Sequence, residues 1–231
     1  MATIKKTDTS EQSGRLSFRI TPPAKKPLLA GEYRLSLTEE RDTLLIVPRG
    51  LTLEKPVPLF VMFHGARQSA KNVIPFLADH ARRRRFLLLM PQSTGPTWDI
   101  CMGGYGPDVS RLEKALRRIS EHFAIDPAHL AFAGFSDGGS YALSLGLTNG
   151  DLVSHVIGFS AGFMKVKKET GSPPVFLSHS PEDERLDISR CSASIYDELK
   201  KKGGDVVFHT FSGGHVIHPP IVEKAMAFFL K

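Results

Sequence analysis

Residues 129–148, HLAFAGFSDGGSYALSLGLT, confine this chain more tightly than any other stretch. An apolar run, Leu130-Ala131-Phe132-Ala133, is cut by Gly134-Phe135-Ser136-Asp137-Gly138-Gly139, and helix-compatible residues 141–145 follow at once. This is G-x-S-x-G between a strand and a helix. A serine at the apex of so sharp a turn takes unfavourable backbone angles, and Gly134 and Gly138 relieve the crowding around it by lacking Cβ. The Ser136 hydroxyl is then left above the end of a sheet. The Asp137 N–H and the start of the next helix face any negative charge that develops there. A glycine-rich turn can also hold a serine by chance, so the motif gains weight only from its surroundings.

Those surroundings are regular. Alternation at 16–20 predicts a strand, ended by Pro22, Pro23 and Pro27. Residues 33–37 and 43–47 predict a strand pair around a short polar turn. The run 58–63, PLFVMF, suits a strand buried on both faces and leads into His64-Gly65-Ala66-Arg67-Gln68-Ser69. A helix follows with Val73, Phe76, Leu77 and His80 on one face, then a strand at 86–90 and a long loop from Pro91 to Pro107. Val109, Leu112, Leu116, Ile119 and Phe123 recur at helical spacing before the central strand. After the central helix come strands at 156–160 and 174–178, then a helix carrying Ile188, Cys191, Ile195 and Leu199. A strand at 206–210 precedes a last helix that Pro219-Pro220 opens, with Ile221, Ala225, Phe228 and Phe229 facing inward.

Repeated strand–helix units predict an α/β fold: a mostly parallel central sheet with helices on both faces, after an antiparallel start. About a dozen residues separate Ser160 from Pro174, which leaves no room for a large cap domain. The expected organisation is a disordered tail over 1–14 and a single domain over 15–231. No apolar run approaches a membrane span, and the polar N-terminus lacks the hydrophobic core of a signal peptide, so a cytoplasmic location is expected. Two cysteines, Cys101 and Cys191, are too few for a disulfide framework and lack metal-site spacing.

The net charge of +6 and the run Arg82-Arg83-Arg84-Arg85 raise the question of a nucleic-acid partner. The basic residues are scattered among helix ends, where cations suit the helix dipole, and no aromatic residues interleave as stacking platforms. No nucleic-acid partner is expected.

A serine hydroxyl is a poor nucleophile at neutral pH unless a base takes its proton, and that base needs a carboxylate behind it. On this type of turn the chain order is serine, acid, histidine. Of nine histidines, five follow the turn: His155, His179, His209, His215 and His218. His209 falls within a strand, and His155 and His179 precede or accompany the acid. His215 ends Phe211-Ser212-Gly213-Gly214-His215, a loop straight after the last strand, and is the expected base; His218 is the reserve. Asp183 sits mid-loop in 179–187, whereas Asp187 abuts a helix as a cap and Glu182 and Glu184 are expected to face solvent. Backbone donors to an oxyanion are expected from Asp137 and Ala66, with Arg67 after Ala66. Trp98 is either a packing plug or a wall of a substrate pocket; Met102, Tyr105, Phe163, Met164 and Ile217 are weaker pocket candidates. Asp108 is expected either as a cap or as a partner for loop backbone.

Together these residues resemble the α/β-hydrolase superfamily, and within it the small lidless serine esterases of the phospholipase/carboxylesterase group that includes acyl-protein thioesterases. A likeness to polyhydroxybutyrate-depolymerase and feruloyl-esterase-type enzymes is also visible. The resemblance runs from about Arg41 to the C-terminus. Its anchors are His64-Gly65-Ala66, Trp98-Asp99, Gly134 to Gly139, Ser178-His179 with Asp183, and Gly213-Gly214-His215. It implies Ser136, Asp183 and His215 as the triad, in agreement with the reading of the residues. Two positions depart from the group: Ser180 stands where a glycine is common, and Arg67 where a small or acidic residue is common.

The expected activity is cofactor-free, metal-free hydrolysis of small carboxylic esters through an acyl-enzyme on Ser136. A thioesterase with the same triad, or an idle binding protein on the same fold, is the alternative. The expected partner is a small ester or thioester; the sequence leaves the oligomeric state open.

Overall fold

The computed structural model of the protein describes residues 12–38 and 41–231. Its strands are β1 (Gly31–Arg34), β2 (Leu44–Val47), β3 (Val57–Phe63), β4 (Leu87–Met90), β5 (Ile125–Phe135), β6 (His155–Phe159), β7 (Val175–His179) and β8 (Val206–Thr210). Its helices are α1 (Ile74–Arg84), α2 (Pro107–Ser120), α3 (Asp137–Thr148), α4 (Ser192–Lys201) and α5 (Pro219–Phe229). The strands form one sheet in the order β1-β2-β4-β3-β5-β6-β7-β8. β1 pairs antiparallel with β2, and β2 with β4; every pairing from β4 to β8 is parallel. This is the architecture that the strand–helix alternation predicts.

The period of two in a strand explains the layering. On β3, Leu59, Val61 and Phe63 enter one core with α2, α3 and α4, while Phe60 and Met62 enter a second core with α1 and α5. On β5, Leu130 and Phe132 fall in the first and Ala131, Ala133 and Phe135 in the second. Both faces of the central strands are therefore apolar, so their sequences read as unbroken hydrophobic runs.

Helix ends follow local chemistry. Pro107 and Pro219 open α2 and α5, where a missing N–H costs nothing. Arg82, Arg83 and Arg84 form the last turn of α1, and Arg85 closes it in the left-handed conformation. Their charges meet Glu32, Asp79 and Glu223. No helix among the described residues is long and apolar enough to cross a membrane.

Two expectations need revision, and two fall partly outside the described residues. Residues 16–20 are extended but join no strand. Leu16 and Phe18 are buried against the first core, and the Leu16 N–H donates to Asn149 Oδ1 at the end of α3 (2.9 Å). Any extended chain laid across helices hides alternate residues, so alternation alone could not identify a sheet strand. The helix expected to include Ile188 starts later, at Ser192; a turn closed by the Arg190 N–H on Asp187 Oδ1 (3.0 Å) precedes it. The β1–β2 turn lies partly outside the described residues, at 39–40, as does most of the expected tail, at 1–11.

Candidate active site

The chain crosses from β5 to α3 through Ser136, whose φ of 56° and ψ of −121° lie outside the usual regions. Such a residue costs on the order of 1–3 kcal/mol and persists only where its surroundings impose it. They do so here. A Cβ on Gly134 would stand 2.0 Å from the Gly138 carbonyl oxygen, and one on Gly138 would stand 2.3 Å from the Phe63 carbonyl oxygen. The Ser136 N–H donates to Phe159 O (2.9 Å), tying the turn to β6.

Two loops beyond the sheet's C-terminal edge reach this serine. His215 Nδ1 donates to Asp183 Oδ2 at 2.6 Å, which leaves the Nε2 lone pair to accept the Ser136 hydroxyl at 2.9 Å. The three expected residues thus form one hydrogen-bonded relay. Burial alone would raise the Asp183 carboxyl. The His215 contact and the Leu186 and Arg185 N–H groups outweigh it and hold the carboxyl below its ordinary value.

The two loops are also stitched to each other. Glu182, expected to face solvent, accepts from Ser212 Oγ (2.7 Å) and the Gly213 N–H (3.0 Å). Glu184, expected likewise, accepts from the His215 N–H (3.1 Å). Both are exposed, yet both hold the base loop in place. Ser180, standing where glycine is common, donates its hydroxyl to the Gly213 carbonyl. The departure thus adds a stitch. His218, the reserve base, stacks on Phe211 at the start of α5 and takes no part in the relay.

The β3 loop supplies the facing wall. The Arg67 N–H donates to Pro96 O (2.7 Å) and the Gly65 N–H to Gln68 Oε1 (3.0 Å). Ala66 N–H has no protein acceptor among the described residues, and Asp137, as the first residue of α3, has none within its helix. These are the two donors the sequence favours. The buried His64 ring sets the first of them. Gln92 Oε1 accepts from the Ala70 N–H, so its amide nitrogen must face His64 Nε2 (2.9 Å), which also accepts the Ser93 N–H (3.2 Å). The ring proton therefore sits on Nδ1 and is donated to Gly65 O at 2.8 Å. In a trans peptide the carbonyl and the N–H point opposite ways, so holding Gly65 O aims the Ala66 N–H. Burial, the largest cause, lowers the His64 pKa to about 4 and keeps the ring neutral.

A model of the phospholipase/carboxylesterase family matches residues 109–231, the part that carries the elbow, the Asp183 loop and His215. The chain belongs to this family. It is 30% identical over 117 residues to acyl-protein thioesterase 1 of Gibberella zeae, a match covering 46% of this chain and 49% of that one. It thus spans about half the length of that curated relative. Among solved structures it is similar to the S-formylglutathione hydrolase FrmB of Staphylococcus aureus, with TM-score 0.68 and 13% identity over 83% of this chain and 93% of that one. It is similar also to a ferulic acid esterase of Anaeromyces mucronatus, with TM-score 0.62 and 17% identity over 99% and 97% of the two chains. These likenesses show the α/β-hydrolase fold.

In this phospholipase/carboxylesterase relative, the pocket candidates separate by burial. Trp98 is 1% exposed: it stacks on Tyr141 (4.8 Å, 22°) and donates Nε1–H to His64 O at 2.8 Å. It packs beneath the β3 loop. Ile217 is buried in the second core, Phe163, Met164 and Tyr105 are half-buried, and Met102 is 61% exposed at the rim. Asp108 serves loop backbone, accepting the Thr94 N–H (2.6 Å) and the Asp99 N–H (2.8 Å).

Two participants escape sequence reading. Gln92 lies 28 residues from the ring it orients. His179 is wholly buried behind Asp183, with Nε2 3.1 Å from Asp183 Oδ2 and 2.9 Å from Leu186 O. Both neighbours are acceptors, so Nε2 bears the proton, and Nδ1 accepts the Ser192 hydroxyl at 2.7 Å. The available signal was its place at the end of β7, four residues before the acid.

Proposed function

We propose that the protein is a serine carboxylesterase that hydrolyses small carboxylic esters through an acyl-enzyme on Ser136. The observation that carries this reading is the unbroken Ser136–His215–Asp183 relay at 2.9 and 2.6 Å. Ser136 Oγ attacks the ester carbonyl as His215 Nε2 takes its proton. Asp183 keeps the ring in the tautomer that can do so and stabilises the imidazolium formed. The carbonyl oxygen, now negative, lies against the Ala66 and Asp137 N–H groups; losing one such donor typically adds about 3 kcal/mol to the barrier. His215 returns the proton to the departing alcohol, then takes one from water as water attacks the acyl-enzyme and hands it to Ser136 Oγ as the C–O bond to the serine breaks and the acid leaves.

Small substrates are favoured by where the β6–β7 connection runs. Ser140, Ser144 and Thr148 repeat at four-residue spacing on α3 and hold this connection along the helix. Ser140 Oγ accepts the Gly162 N–H (3.0 Å), Ser144 Oγ accepts the Lys165 N–H (2.9 Å), and Thr148 O accepts the Thr170 hydroxyl (2.7 Å). The connection is thus bound to the helix flank and forms no lid.

Thioester hydrolysis is the second reading, favoured by the 30% identity to acyl-protein thioesterase 1. The same relay would serve, since only the leaving atom differs. An idle binding protein would need a displaced Asp183 or His215, and the relay distances oppose it.

Labelling with a fluorophosphonate probe tests the proposal. Wild type should label, Ser136→Ala should not, and His215→Ala should label far more slowly. A folded wild type that resists the probe overturns it. Matched oxygen and thioesters of one acyl group then separate the two readings.

A further inference from the structure

The rim of the site is electrically two-sided. On the base side stand Glu182 and Glu184, bonded to the His215 loop. On the oxyanion side stand cations without carboxylate partners among the described residues. Arg41 spends its guanidinium on the carbonyls of Gly95 (2.9 Å) and Gln68 (2.7 Å), and Arg111 on those of Gln92 (3.1 Å) and Ser93 (3.3 Å).

Arg67 and Lys165 also meet no carboxylate among the described residues and bind no backbone carbonyl with their charged groups. Arg67 is exposed, follows the oxyanion donor Ala66, and holds φ at 57° while its N–H is fixed on Pro96 O. A glycine or asparagine would adopt that angle with less strain, so a long cation there needs a reason beyond the turn. Lys165 lies on the connection that runs along α3: its N–H is held on Ser144 Oγ (2.9 Å), and its ammonium stands 5.1 Å from the centre of the Phe163 ring. Pro96, which holds the Arg67 N–H, begins the loop that runs through Cys101 to exposed Met102, and Cys101 Sγ lies 3.9 Å from Asp137 O at the start of α3. The carboxylate on this side, Asp137, accepts the Thr97 hydroxyl (2.5 Å). Asp99 and Asp108 are buried behind the loop.

We propose that the surface of this loop, with Arg67 and Lys165, is an anion subsite. On the esterase reading given above, the preferred substrates are then esters carrying a carboxylate a few bonds from the scissile carbonyl, with Arg67 as the recognising group and Lys165 as its support. A guanidinium matches a carboxylate through two parallel N–H donors, and the fixed backbone of Arg67 roots that side chain one residue after the Ala66 donor. Glu182 and Glu184 repel the same anion from the opposite rim, so the charge also sets which way round the ester lies.

The test compares kcat/KM for charged and neutral partners of equal shape. Mono-4-nitrophenyl adipate against 4-nitrophenyl hexanoate places the charge on the acyl side; 4-acetoxybenzoate against 4-acetoxybenzamide places it on the leaving group. In one pair, wild type should favour the anion about five- to tenfold at low salt, and the ratio should shrink at high ionic strength. Arg67→Lys should keep most of the ratio, Arg67→Gln should bring it near one, and Arg67→Glu should invert it; Lys165→Gln should reduce it less. Because the reading is a ratio within each variant, a general loss of folded enzyme cancels. Ratios at or below one for both pairs, or a ratio indifferent to Arg67, overturn the subsite while leaving the esterase intact. No turnover of any of the four esters overturns the esterase reading and the subsite with it.

Discussion

His179 and His215 contact the same carboxylate oxygen, Asp183 Oδ2, at 3.1 and 2.6 Å. The first imidazole is wholly buried and the second faces Ser136, so the acid is held from behind while it orients the ring in front. Its other oxygen accepts the N–H groups of Arg185 and Leu186, both at 2.9 Å.

His179 is thereby a positioning residue. In His179→Phe, which removes the donor, kcat should fall about tenfold, the loss expected for one charge-assisted hydrogen bond, with KM little changed. His179→Gln, whose amide can replace the Nε2 donor, should restore most of the rate. Equal losses in the two variants, or a loss carried wholly by KM, would count against the role.

A comparable effect belongs to His64. His64→Phe removes the donor to Gly65 O and frees the peptide that carries the Ala66 N–H. Steady-state kinetics should show kcat reduced about 10- to 100-fold, less than outright removal of an oxyanion donor. Unchanged kcat in a folded variant would mean the peptide is held by other contacts.

Glycine substitutions should divide sharply. Gly134→Ala and Gly138→Ala force a methyl into backbone carbonyl groups and should each destabilise by more than about 3 kcal/mol. Gly104→Ala meets nothing within 4 Å and should stay within about 0.5 kcal/mol of wild type. Urea unfolding curves of the three variants make the comparison.

The loop behind Met102 should respond to pH. Burial first, and then Asp108, push Asp99 from its ordinary 3.8 up to about 6. A carboxyl raised on folding favours the protonated native state. Its contribution is therefore greatest below about pH 4, falls as pH rises through 6, and is then flat. Asp99 Oδ1 has no hydrogen-bond partner, while Oδ2 accepts the Gly106 and Asp108 N–H groups, a task that an amide oxygen can perform. Asp99→Asn should therefore gain stability over wild type at pH 8, on the order of 2 kcal/mol, and markedly less at pH 4.5. An equal difference at both pH values would remove Asp99 as the titrating group.

Chemistry that depends on neighbours in sequence was legible before the structure. The strand–turn–helix around Ser136 and the apolar runs of β3 and β5 announce the sheet. The order of serine, acid and histidine selects Asp183 and His215 as candidates. Features that depend on distant partners were not legible. Glu182 and Glu184 look like solvent-facing charges until the His215 loop is laid beside them. Gln92 is an ordinary loop residue until it meets His64. Leu16 and Phe18 alternate as a strand does, because the face they cover lies on helices instead of between strands.

The relay also reports on assembly. Ser136 and His215 are 79 residues apart, and β6, β7 and β8, which lie between them in the chain, are laid side by side in the sheet before the second reaches the first in space. A chain cut before residue 212 keeps Ser136 but loses the acceptor of its hydroxyl. The hydrogen bond between them therefore depends on the last strand and its loop, and its presence reports that the far edge of the sheet stands in register.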